Sequence, residues 1–413
     1  MPARAEGRAR PPPDRGRSGR RPFDVKERGL EGSFWPTERQ RLLLTVAFAG
    51  GGASAEAWRR LRPRLDLDEL EPGSFPLLPL VHRQLDRLGI DDAYARRLAG
   101  IRRRTWYLNH LQLDALAPAL QALEGSGAEP ILSGGWPFPA HYLGGDFGLR
   151  PLEGLEVLVR PGHTPACGVA LAALGFGGGR NAIGGAVRFD DDDGRTCTLH
   201  ERFTREFSIP ERGVEPSDIW ARTFEISVGE TRARALGPTD ELVRVCLAGA
   251  RASRLPNVLW AADAIAVLQS ESAAIDWDRL LRHGQRLRAT LRLRDALSYL
   301  GRELDAAVPD PVIRSLEATP ARGRELLAHR EAGRSRRLIG PAPRTVTRFL
   351  HVTSDRPWPA ALVALPTFLR DELGLKWRAQ VPFEVVRRAA TARRGGARRP
   401  RPTATPVERS RVE

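Results

Sequence analysis

Lysine is nearly missing from this chain. Only Lys26 and Lys376 are lysines, so 63 of its 65 basic residues are arginine. With 40 Gly and 33 Pro alongside, the skew reads as a genome-wide compositional preference before it reads as recognition. Cysteine is scarce as well. Cys167, Cys197 and Cys246 are odd in number, far apart and without a C-x-x-C pair. That excludes a disulfide framework or a zinc knuckle and fits a reducing cytoplasm. The eight histidines form no H-x-H or H-E-x-x-H, which argues against zinc. There is no long apolar run: Leu42 to Gly50 is about half of a membrane span, and the first 30 residues lack the apolar segment of a secretory signal. No membrane partner is therefore expected. Neither G-x-x-x-x-G-K-[ST] nor G-x-S-x-G occurs, so a P-loop ATPase and a serine-hydrolase elbow are both unsupported.

What is present supports a substantial core. The 413 residues are 41% hydrophobic and include nine Trp, enough for one large domain or two ordinary ones. The net charge of +15 is concentrated at the ends. Residues 1–34 carry nine basic and five acidic residues, and 387–413 carry nine Arg and two Glu, so these ends hold +11 of the total. Residues 1–34 and 389–413 are rich in Arg and Pro, without periodicity, and read as disordered basic tails. A solvated tail is the plainer interpretation, and contact with nucleic acid is the functional one.

Between the tails the chain divides into three stretches. Residues 35–125 read as a helical lead-in packing on the core. It opens with a capping box at Thr37 and Gln40 and ends in a long helix from Ala93 to Leu123, interrupted at Pro118. Residues 126–235 read as a small α/β unit. Its expected elements are strands at 130–133, 154–159 and 223–228, a helix at 163–174, and a hairpin at 186–200 turning at Asp193-Gly194. Gly177–Gly179 reads as a loop. Residues 236–388 alternate in the helical period. The whole is an α+β chain: a small mixed-sheet core between a helical lead-in and a helical C-terminal half.

The most informative segment is Ile131 to Val159, ILSGGWPFPAHYLGGDFGLRPLEGLEVLV. A short apolar strand runs into Ser133-Gly134-Gly135. Arg150-Pro151 follows, and then a second apolar strand carrying Glu156. This segment resembles the core of an uncharacterised bacterial nucleotidyltransferase-like family with the polymerase-beta-type nucleotidyltransferase fold. Ala170 to Phe176, Cys197 to Glu201, Trp260-Ala-Ala-Asp263 and Leu365 to Val386 follow in the family's order, so the resemblance spans roughly residues 38 to 388. It implies that Ser133, Gly134, Gly135, Arg150 and His200 contact a nucleotide. It also implies that acids on the second strand hold Mg²⁺, if the protein is active, while an NTP passes a nucleotide to an acceptor the sequence does not specify.

The acids are where this chain departs from the pattern. Two carboxylates at i and i+2 on a strand face one side and reach the same ions. Here the first position is Gly154, the second is Glu156, and the third falls near Thr198. Glu156 alone remains as a metal ligand and catalytic candidate. Glu153 is the nearest substitute, yet on a regular strand it faces away from Glu156 unless a bulge at Gly154 turns it. Asp146, the Asp190–Asp193 run and Glu201 are more distant candidates. In the turn, Ser133 replaces the family's Lys and offers a hydrogen bond in place of a charge. The leading expectation is a fold-retaining homologue with weak or lost metal-dependent activity. The alternatives are an active Mg²⁺-dependent transferase to a small-molecule or protein hydroxyl, and a nucleic-acid-associated protein acting through its Arg-rich tails.

Overall fold

A computed structural model describes residues 35–181, 186–203, 216–249, 258–270, 274–321, 358–373 and 377–387, with Glu325, Leu326, His329 and Phe349 between them. The expectations for 1–34 and 389–413 lie outside the described residues. The lead-in comprises α1 (Glu38–Phe48), α2 (Gly51–Leu61), α3 (Leu78–Arg87) and α4 (Ala93–Gly125). The Thr37 side chain accepts from the Gln40 backbone N–H at 3.2 Å, and Gln40 reaches back to the Thr37 N–H at 2.9 Å, completing the capping box.

The 33-residue α4 continues past Pro118, contrary to the expected interruption. A proline removes one helical hydrogen bond, here to the carbonyl of the exposed Asp114, which water can satisfy. Burial of Leu113, Leu116, Ala119, Leu120 and Leu123 on the sheet carries the helix past it.

The sheet is β1 (Ile131–Leu132), β2 (Leu155–Leu158), β3 (Gly177–Asn181), β4 (Val187–Asp190), β5 (Thr196–His200), β6 (Phe224–Val228) and β7 (Thr231–Ala235), in spatial order 3-4-5-2-1-7-6. It is mixed: β2 is parallel to β5 and β1 to β7, while the other pairs are antiparallel. Two of these strands differ from the sequence reading. Gly177–Asn181 is a strand rather than a loop, and β7 had not been anticipated. The expected hairpin turn is present, and one of its acids is held inside it. Asp191 accepts from the backbone N–H groups of Asp193 and Arg195 and pairs with the Arg195 side chain.

One face of the sheet packs on α4 and on α5 (Thr164–Ala172) through Leu155, Val157, Cys197 and Leu199. After the short α6 (Pro216–Trp220) and β7 come α7 (Pro238–Gly249), α8 (Leu259–Gln269), α9 (Trp277–Arg286), α10 (Thr290–Glu303) and α11 (Asp310–Ala318). Farther on are α12 (Trp358–Leu373) and a helical stretch over 381–387. Helices α7 to α11 share one buried core with α1 to α3 and the start of α4, joined to the sheet by Ile131 and Leu158. The fold is therefore α+β, with helices on either side of the sheet in sequence. A buried polar knot ties α7 to α9. Asp240, 1% exposed, accepts from Arg279 at 2.8 and 3.0 Å and pairs with His283 Nε2 at 2.9 Å.

Candidate functional site

The site begins where β1 ends. Ser133 extends the ladder by donating its N–H to the Glu156 carbonyl at 2.9 Å, and its side chain is buried. Gly134 then turns with φ +70°, a conformation that disfavours a side chain. A Cβ there would also lie 2.5 Å from Glu156 Oε2, and at Gly135 it would lie 1.8 Å from Arg150 Nη1. The two glycines thus let the Glu156 and Arg150 side chains lie flat on the turn. Trp136 is 2% exposed among the α4-facing core residues and donates Nε1–H to the Gly154 carbonyl at 3.2 Å. It is a packing residue.

Arg150 is placed from beneath by α4. Buried Asn109 donates to the carbonyls of Phe147 and Arg150 at 2.6 and 2.8 Å and accepts from the Leu152 N–H at 3.0 Å. The guanidinium then meets Asp263 of α8 in a two-pronged pair, Nε to Oδ1 at 2.8 Å and Nη2 to Oδ2 at 2.9 Å. Both side chains are about nine-tenths buried, at 12% and 9% exposure. Arg150 also sits 5.2 Å from the Phe138 ring centroid. The Arg150–Asp263 pair joins the helical half to the sheet unit across 113 positions.

The residue that sequence reasoning missed is Arg244 on α7. It donates Nη2–H to the Gly134 carbonyl at 3.0 Å and Nε–H to Glu241 at 2.9 Å, and pairs with Glu241 a second time. Burial opposes its charge. The charge and hydrogen bonding of Glu241, followed by the nearby carboxylates of Glu156 and Asp263, nevertheless raise its pKa above the ordinary guanidinium value. A signal existed in Leu-Val-Arg-Val-Cys-Leu: a charge inside a helix apolar on every side must find a partner within the protein.

These groups frame a cleft of about 230 Å³ between the β1–β2 turn and helices α7 and α8. Gly134, Gly135, Arg150, Glu153, Glu156, Arg244, Trp260 and Asp263 line it. Glu153 shares this wall with Glu156, contrary to the alternation expected of a regular strand, because β2 starts only at Leu155 and Glu153 precedes it. Thr198 pairs with Glu156 in the parallel register, so the neighbouring strand sets a hydroxyl beside Glu156. His200 lies two residues farther along β5, 6% exposed, and does not line the cleft.

The remaining acids are engaged elsewhere. Asp146 pairs with Arg102 at 2.5 Å, and Asp190 with Arg188 at 2.7 Å. Glu201 caps α5 by accepting from Gly162 and Thr164. A Cβ at Gly154 would stand 1.8 Å from Thr196 Oγ1 and 2.4 Å from the Thr196 carbonyl oxygen, so the first acid position has no room for a side chain. Among the described residues no group of three His, Cys, Asp or Glu is placed to hold a metal. The described residues therefore do not fit the divalent-ion site that the family resemblance implies.

A family model described as uncharacterised nucleotidyltransferase matches residues 76–304, more than half of the chain. No curated protein and no solved structure shows significant similarity to it.

Proposed function

The chain belongs to the uncharacterised nucleotidyltransferase family, and from that premise we propose that it is a fold-retaining member in which metal-dependent nucleotidyl transfer is weak or lost, with the cleft kept as a binding pocket for an NTP-class ligand. The observation that carries this reading is the Arg244 guanidinium. It is fixed to the Gly134 carbonyl and exerts its charge on Glu156, in the cleft where the family pattern calls for divalent ions beside carboxylates. A tethered cation meets part of the electrostatic need of a phosphate, but it has no exchangeable coordination position with which to activate a hydroxyl.

Calorimetric titration with ATP, GTP, CTP and UTP, each with and without Mg²⁺, tests the pocket. Pyrophosphate release tests the chemistry. The expected result is binding insensitive to Mg²⁺ and no Mg²⁺-dependent release. The competing reading is an active transferase moving a nucleotide to a small-molecule or protein hydroxyl, and Glu153 on the cleft wall beside Glu156 favours it. Mg²⁺-dependent release abolished by Glu156→Ala would establish that reading and overturn ours.

A further inference from the structure

Helix α4 is anchored in a core at each end, while in its middle only one side, at Thr105 and Asn109, is buried. Ala95 and Leu98 enter the helical core, and Leu113 to Leu123 enter the sheet core. Between them stand Trp106, Tyr107, Leu108 and Leu111 at 47%, 57%, 43% and 49% exposure, Tyr107 and Leu111 on the side away from Asn109 and Trp106 and Leu108 on its two flanks. Arg96, Arg97, Arg103 and Arg104 are exposed along the same stretch. The pairs of Arg96 and Arg97 with Asp91 and Asp68 are themselves exposed, at 3.1 and 3.7 Å, and contribute little. Arg103, Tyr107 and Leu111 are spaced four apart, and so fall in one line about 12 Å long.

We propose that this face of α4 is a docking surface for an unpaired nucleic-acid strand. The reading rests on the surface alone and does not depend on the cleft. Aromatic faces accept bases of any sequence, and guanidiniums neutralise the phosphates between them. The indole of Trp106 already packs against the His110 ring, with centroids 3.8 Å apart and planes tilted by 31°, while His110 Nδ1 lies 2.8 Å from the Trp106 carbonyl oxygen. Such pre-ordering lowers the entropy lost on binding. A second copy of the chain is the poorer occupant, since it would set four arginines against four arginines. The one acid on the same line, Asp114, lies beyond Leu111 at the far end of the stripe.

The test uses the full chain and a labelled 20-nucleotide oligo-dT, read by fluorescence anisotropy across a salt series. The oligo-rU of equal length, a blunt duplex and heparin serve as the other arms. We expect both single strands to bind alike and better than the duplex. Arg103→Ala/Arg104→Ala should make the log–log salt slope shallower by about 1.4, roughly 0.7 per lost phosphate contact. Trp106→Ala/Tyr107→Ala should weaken strand binding by about tenfold or more and leave heparin binding unchanged, while Trp106→Phe retains binding. All these side chains are exposed, so thermal melts of the variants should match the parent. No strand binding, or unchanged affinity in both double variants, would overturn the proposal, the latter by assigning binding to the Arg-rich termini. Equal losses for heparin and oligo-dT in the aromatic variant would also overturn it.

Discussion

Restoring the missing acid by Gly154→Asp should fail, and the geometry says by how much. The new Cβ would meet Thr196 Oγ1 at 1.8 Å and the Thr196 carbonyl oxygen at 2.4 Å. The hydroxyl can rotate away. The carbonyl cannot, because it belongs to β5, whose register with β2 pairs Leu155 with Cys197 and Glu156 with Thr198. Relief therefore needs the two strands to part by about an ångström at their half-buried ends, and overpacking of this kind costs about 1–3 kcal/mol, occasionally more. We expect about 3 kcal/mol for Gly154→Ala, which isolates the steric part. Gly154→Asp should lose more, because its carboxylate is pressed toward a carbonyl oxygen. Such a loss is a large share of the ~5–15 kcal/mol that usually holds a fold. Urea unfolding followed by tryptophan fluorescence measures it, with Gly52→Ala as a control at a site where a Cβ meets nothing within 4 Å. The reasoning is refuted if Gly154→Asp unfolds at the parent's urea concentration, or if it gains Mg²⁺-dependent pyrophosphate release.

Other expectations follow from the same structure. Arg150→Ala leaves the buried Asp263 carboxylate uncompensated and should cost about 3–5 kcal/mol, whereas Arg150→Met with Asp263→Leu should recover most of that loss; a double-mutant cycle by urea melts gives the coupling. Burial works against the Asp240 carboxylate, but hydrogen bonds and charge from His283 and Arg279 hold its pKa below the ordinary value. A depressed folded pKa contributes stability above the unfolded value, near 3.9, and loses it as pH falls toward the folded one. Asp240→Asn should therefore be less stable than the parent at pH 7 and show a flatter loss below pH 4 in acid-unfolding curves. Burial pushes the Cys197 and Cys246 thiols up to about 12, and also raises Cys167. A thiol reagent at pH 8 should find none of the three reactive until denaturant is added.

The parts of this architecture written in local sequence were legible, and those written in distant contacts were not. Thr37 and Gln40 announce α1 because a capping box needs only four residues. Asp193-Gly194 announces the β4–β5 turn for the same reason. Strand β7, Thr-Arg-Ala-Arg-Ala, alternates buried and exposed as a strand should, but its inward residues include two alanines, which carry little apolar signal. Strand β3 opens on three glycines, a composition that reads as loop until β4 pairs with it. Arg244 sits 110 positions from the Gly134 carbonyl it meets, and no spacing rule connects them. The partnership of Arg150 with Asp263 spans a similar gap, so both ends were noticed and the bond between them was not.

The two residues of β1 carry a burden out of proportion to their number. On one side of them runs the four-strand group β2-β5-β4-β3, and on the other the β6–β7 ribbon. Among the described strands only β1 pairs with both halves, Ile131 lying opposite Leu158 on one flank and Arg234 on the other. Their side chains anchor in different interiors, Ile131 among the helices and Leu132 against α4. Each hairpin can zip up from neighbouring residues, but this seam closes over a loop of about a hundred positions and so should form late in folding. Amide exchange would then find its weakest central point at the suture rather than at the sheet's outer edges, and a polar substitution at Leu132 would release two half-sheets instead of loosening one.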